Sequence, residues 1–239
     1  MKFWKSLPEN GFTLIEVLIT LAISGVIMTG VYTAFKSQQD SYLAQEQVAE
    51  LQQNIRAGLD IMTRDIRMAG YDSERSAGAG ITTANAGQLS FTQDLNNDGT
   101  IGSNEEVDYG FTPATSNPNY DVARDGIPDV DSDSDGVPDA MALGKQVGTG
   151  GYQPIAESIQ AIEFNYLDEA GNVTAALGNI RSVEISILAR ARRPDRNYTD
   201  NRAYPNAGTT PGGATWGPFN DNFRRRFQIT TVNLRNMGM

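Results

Sequence analysis

Twelve consecutive residues, Asp94 to Glu105 (DLNNDGTIGSNE), carry oxygen-bearing side chains at alternate places. Asp94, Asn96 and Asp98 stand at positions one, three and five, and Glu105 stands at position twelve. Gly99 at position six permits a sharp turn, and Thr100 at position seven offers its backbone carbonyl. Calcium takes about six to eight oxygen ligands from carboxylates, amides and carbonyls, so this spacing suits a calcium loop. A later run, Asp131-Ser-Asp133-Ser-Asp135-Gly136-Val-Pro-Asp139, opens in the same way and places Asp139 at its ninth position. An imperfect copy starts ten residues earlier, because Asp125-Gly126-Ile127-Pro128-Asp129 recurs as Asp135-Gly136-Val137-Pro138-Asp139. The bland alternative is a solvated acidic tract. Without a cation, however, so many neighbouring carboxylates repel one another and resist compaction. The expectation is that calcium ties down the acidic insertion, residues 94–139, as a disulfide would elsewhere.

One more carboxylate stands where it should not. Phe12 to Phe35 (FTLIEVLITLAISGVIMTGVYTAF) is apolar almost throughout and contains one ionisable side chain, Glu16. A hydrocarbon core about 30 Å thick needs roughly 20 apolar helical residues, and this run is long enough. Placing a carboxylate there costs about 2.5–3.5 kcal/mol on insertion scales, so Glu16 needs a partner and is a candidate functional residue. A cleavable secretory signal has an apolar region of about 7–15 residues followed by a small-residue cleavage site. Here the run is longer and the small residue, Gly11, precedes it.

Gly11-Phe12-Thr13-Leu14-Ile15-Glu16 resembles the processing site of type IV prepilins and of the related type II secretion pseudopilins. The resemblance implies that a prepilin peptidase cuts between Gly11 and Phe12 and that the new N-terminal Phe12 is N-methylated. It also implies that Glu16 pairs with the N-terminal amine of a neighbouring subunit during assembly. A buried carboxylate is tolerable when a cation neutralises it. Asn10, preceded by Glu9, stands where the family commonly has a basic residue. Near the other end, IEFNYLDEAGN, IRSVEISILARARRP and RRRFQITTVNLRN resemble minor pilins of the PilW kind and, more distantly, the J-type pseudopilin. The acidic repeats are similar to those of EF-hand loops and thrombospondin type 3 modules, although strands and loops rather than helices flank them.

Composition narrows the functional classes. The chain of 239 residues has no cysteine and no histidine, which removes thiol chemistry, the commonest general base and the commonest transition-metal ligand. No nucleophile–base constellation is evident, so an enzyme is not expected. The net charge of −10 argues against nucleic acid as the main partner. Lys2 and Lys5 place the leader on the cytoplasmic side of the inner membrane by the positive-inside rule, with the bulk of the chain beyond it.

Periodicity gives the elements that must position these groups. Residues 1–11 are a polar leader, with Pro8 keeping it from extending the helix. Residues 12–35 form the transmembrane and assembly helix. Residues 36–70 continue it as an amphipathic helix, with Val48, Leu51, Ile55, Leu59, Met62 and Ile66 recurring at three- and four-residue steps. Gly70 is the expected stop, and Gly25 and Gly30 are expected packing or bending points. The remaining residues, 71–239, are expected to be a β-rich domain. Residues 71–87 read as a loop, 88–93, 106–111, 159–167, 180–189 and 227–234 as strands, and 194–222 as a long surface loop. A long helix followed by strands predicts an α+β fold with an antiparallel sheet, which is the architecture the pilin resemblance also implies. Arg224, Arg225 and Arg226 read either as a solvated strand entry or as a contact to an acidic face of another subunit.

Three functions follow as expectations. The first is a minor pilin that primes or caps a type IV pilus, with other major and minor pilins as partners. The second is a type II secretion pseudopilin. The third, of another class, is a calcium-dependent pilus-borne adhesin.

Overall fold

A computed structural model describes residues 11–111, 121–132, 134–206 and 215–238. Helix α1 spans Leu14–Ile66, and the chain divides within it into two compact units, 1–46 and 47–239. In the first unit every described residue up to Leu43 is exposed. The apolar composition of the run makes that exposure informative. An 18-residue window of the helix has a mean hydropathy of 2.2, so by length and composition it can cross a membrane.

In the second unit the helix is amphipathic, and its apolar stripe is spent on a core. Leu51, Ile55, Leu59, Met62 and Ile66 are buried, each side chain contributing about 1.5–3 kcal/mol. Val48 is half-buried. Gly58 lets helix and sheet approach closely, since a Cβ there would lie 3.0 Å from the Ala156 Cβ. Gly70 has a φ of +74° and ends the turns that follow the helix, its N–H passing to the Thr92 carbonyl at 3.0 Å.

The sheet packed on this helix face has seven strands: β1 (Ile81–Ala84), β2 (Leu89–Thr92), β3 (Glu106–Phe111), β4 (Met141–Val147), β5 (Gln153–Leu167), β6 (Ser182–Arg190) and β9 (Arg225–Asn233). Neighbours in that order are antiparallel, so the α+β class follows from the sequence pattern as expected. In β6, Val183, Ile185 and Ile187 face the helix side and are fully buried. Asp65 in the last helical turn accepts from the Tyr109 hydroxyl on β3 and pairs with Lys145 on β4, both at 2.5 Å, fastening the helix end to the sheet.

Two expectations need correction, and one strand had no expectation. Residues 71–87 are not all loop, because β1 lies within them. β4 lies where the sequence pattern suggests no strand, because Gly144 and Lys145 in its middle interrupt the period-two alternation. Residues 194–222 are not a plain surface loop. The two-stranded ribbon of β7 (Tyr204–Pro205) and β8 (Thr215–Trp216) lies there. Tyr204 and Trp216 form a second buried cluster with Ala161 and Leu188, with Phe219 and Phe227 packed against it. That cluster covers the face of β5 and β6 opposite the helix.

Candidate functional site

The N-terminal motif is laid out on the first unit. Gly11 and Phe12 are exposed just before the helix, with Phe12 at 89% exposure. Residues 1–10 of the leader lie outside the described residues. Thr13 and Glu16 form a reciprocal cap. The Thr13 N–H and hydroxyl each donate to the Glu16 carboxylate at 2.8 Å, and the Glu16 N–H donates back to the Thr13 hydroxyl at 3.3 Å. This capping box satisfies helix-terminal donors that nothing else in an apolar setting would. Its signal was present in the sequence as Thr-x-x-Glu before an apolar run.

The first acidic loop is docked on the segment that follows α1. The Asp94 N–H donates to the Tyr71 carbonyl at 2.6 Å, and Ser73 donates to Asn97 at 2.5 Å. Asp94 is fully buried; one carboxylate oxygen accepts from the Gly99 N–H at 3.1 Å, and the other, Oδ1, has no partner. Asn96 accepts from the Asp98 N–H at 3.0 Å, and Asp98 from the N–H and hydroxyl of Thr100. The Thr100 hydroxyl and N–H, together with the Asn96 amide, hold the Asp98 carboxyl below its ordinary range. Glu105 acts as a clasp, taking the N–H groups of Leu95, Asn96 and Gly102 at 2.8, 3.2 and 2.7 Å. The Gly102 N–H and the other two donors outweigh burial and lower its pKa.

The second and third acidic runs fold as copies of this turn. Asp121 accepts from the N–H groups of Asp125 and Gly126 at 3.2 and 2.9 Å. Asp131 accepts from Asp135 and Gly136 at 3.2 and 3.0 Å. Asp129 reaches back to the Val122 N–H, and Asp139 to that of Ser132. Asn97, Arg124 and Ser134, with Gly99, Gly126 and Gly136, all adopt positive φ at matching places. Asp139 is also paired with Arg190 at 3.1 Å, so the protein already supplies that carboxylate with a cation. Asp133 lies outside the described residues. Among the described residues, no group of three or more acidic side chains stands together at metal-holding distance, so the ligand candidates of each run are aligned rather than converged.

The arginine cluster fits neither reading of its sequence as a whole. Arg225 is fully buried, donating to Asp221 at 2.6 Å from two nitrogens, to Asp200 at 3.2 Å and to Gln160 at 2.5 Å. Arg224 pairs with Asp195 at 2.8 Å, and Arg226 is exposed. Two of the three are therefore spent on holding 191–222 to the sheet. Their acidic partners were scattered in sequence, which hid the pairing.

Comparison with known proteins gives two family matches. Residues 8–32 match the prokaryotic N-terminal methylation motif, and residues 129–236 match the type IV pilus-assembly protein W family. The first covers Gly11, Phe12 and Glu16, and the second runs from the last acidic repeat through β9. No curated protein matches the chain. Among solved structures, a type IV-like pilin from Thermus thermophilus aligns with 13% identity and a TM-score of 0.44, over 79% of this chain and 98% of that one. The chain thus carries a prokaryotic N-terminal methylation motif at one end and a segment similar to the type IV pilus-assembly protein W family at the other, on a helix-on-sheet α+β fold.

Proposed function

We propose that this protein is a minor subunit of a type IV pilus, which primes assembly of the filament or caps it. The observation that carries the reading is the prepilin-type motif, with Glu16 five residues past Gly11 on an exposed apolar helix joined in sequence to a PilW domain. In this reading the leader stays in the cytoplasm, the helix anchors the precursor in the inner membrane, and residues 47–239 lie on the far side. The peptidase cuts after Gly11, Phe12 is methylated, and the subunit joins other pilins. Glu16 then meets the free amine of a neighbour, which offsets the cost of its charge in an apolar surrounding.

The test is co-expression with a prepilin peptidase, followed by mass analysis of the N-terminus and fractionation of sheared filaments. The wild-type chain is expected to begin at methylated Phe12 and to appear in the filament fraction. Gly11→Leu is expected to remain as the longer precursor. A native polypeptide that begins at Met1, or beyond residue 35, overturns the proposal.

A further inference from the structure

We propose that the loop 94–105 is a calcium site, with the Asp94 carboxylate as its anchor. The acidic spacing alone does not single this loop out, because two other runs share it. What does is the Oδ1 atom of Asp94. Its residue has no solvent exposure, and no donor among the described residues reaches that atom. The carboxylate is turned into its own loop, since its other oxygen takes the Gly99 N–H. A buried carboxylate oxygen without a donor is costly, and a hard cation is the ligand that removes that cost while taking oxygens from the same turn.

The neighbouring groups are of the right chemistry. Asn96 and Asp98 are exposed at the third and fifth positions, and the Thr100 carbonyl stands at the seventh. Glu105 at the twelfth already clasps both ends of the loop through backbone N–H groups, so the turn is held in place before any ion arrives. The third run lacks this signature. Both Asp131 oxygens accept from the backbone, and Asp139 has Arg190 as its cation. In the second run, Asp121 likewise has both oxygens satisfied, and position three is Ala123, which has no side-chain oxygen. The loop lies outside the residues matched by the PilW family, so this site does not rest on the filament role.

The test uses the full chain in detergent, stripped with EDTA and titrated with calcium chloride by calorimetry, with melting followed in parallel. Wild-type protein is expected to bind calcium with a dissociation constant near the 0.1–1 mM range of about that order seen for extracellular modules, and to melt higher when loaded. Asp98 is exposed, so Asp98→Ala folds, and it is expected to weaken binding by about tenfold or more. Asp135→Asn is expected to leave the affinity of this site unchanged. Asp94→Asn is expected to melt no lower than wild type in EGTA, because it removes an unpaired buried charge, yet to lose the gain from calcium. Absence of binding by wild type at about 5 mM calcium, or equal affinity of Asp98→Ala, overturns the proposal. So does Asp94→Asn that melts lower in EGTA but still binds calcium, which would make Asp94 a group of the fold alone.

Discussion

Thr13 and Glu16 close on each other at the head of the apolar helix, two 2.8 Å hydrogen bonds running from Thr13 to one oxygen of Glu16. Glu16 thus has an occupation within its own subunit before any neighbour arrives. Capping needs an acceptor at that position, whereas neutralising an amine needs a negative charge. The two roles separate in variants. Glu16→Gln keeps an acceptor for Thr13 and loses the charge, so it is expected to be inserted and cleaved but depleted from filaments. Thr13→Ala loses a cap, worth about 0.5–2 kcal/mol of helix stability, and is expected to assemble nearly normally. Immunoblots of sheared filaments against whole cells measure both. Equal depletion of the two would assign Glu16 to the cap.

Gly126 and Gly136 occupy the same place in tandem turns, at φ of +84° and +81°. Their surroundings differ. A Cβ on Gly126 would lie 1.8 Å from the Ile162 carbonyl oxygen, while one on Gly136 meets nothing within 4 Å. Gly136→Ala is expected to cost about 1–2 kcal/mol, the left-handed backbone penalty. Gly126→Ala adds a backbone clash and is expected to cost more than twice as much, read as a larger drop in melting temperature.

Arg225 and its two aspartates carry the attachment of the 191–222 segment. Arg225→Leu leaves Asp200 with no exposure and without the Arg225 guanidinium, and is expected to destabilise by about 3–5 kcal/mol. Arg226→Ala, on an exposed position of the same strand, is expected to fall within about 0.5 kcal/mol of wild type. Denaturant midpoints of the two variants test the contrast.

Acid should release the same attachment. Burial opposes ionisation of Asp200, but donation from Tyr204, Arg202 and Arg225 outweighs it and holds its pKa down. The Asn197 N–H and Arg224 do likewise for Asp195. A carboxyl depressed in the folded state stabilises it above the unfolded pKa, near 3.9, and the gain is lost as pH falls through the lower folded value. Melting temperature is therefore expected to fall below about pH 4, with a shallower slope in Asp200→Asn. Asp121 works the other way, since burial raises its pKa and the folded state is relieved by its protonation.

Legibility in the sequence followed the strength of local pattern. The stripe from Leu51 to Ile66 was readable because a helix face repeats every three to four residues, although the helix ends at Ile66, before the expected stop at Gly70, and turns fill the interval. The strand 106–111 has the bounds its alternation suggests, whereas β5 begins at Gln153, before the expected Ile159. β1 was hidden because Ile81 is the sole buried residue of its four, in a stretch rich in Gly and Ala. The outer aromatic cluster was hidden for another reason. Tyr204, Trp216 and Phe219 sit among Pro, Gly and Asn, whose turn chemistry outweighed the apolar signal, and their partners Ala161 and Leu188 are distant in sequence. At the candidate calcium loop the ligand spacing was legible, but the unpartnered oxygen of Asp94 emerges only from packing.

The twin turns at 121–129 and 131–139 each close on their own backbone, the first stitched to the sheet by the Ile162 N–H donating to the Gly126 carbonyl at 2.9 Å. They sit between β3 and β4, which are already hydrogen-bonded neighbours. Removing the first turn would strip the Ile162 and Gly87 N–H groups of their acceptors on Gly126 and Arg124, and removing the second would take Asp139 from Arg190. The insertion is thus a patch bolted across the sheet, and its loss would open polar groups on β5 and β6 to solvent.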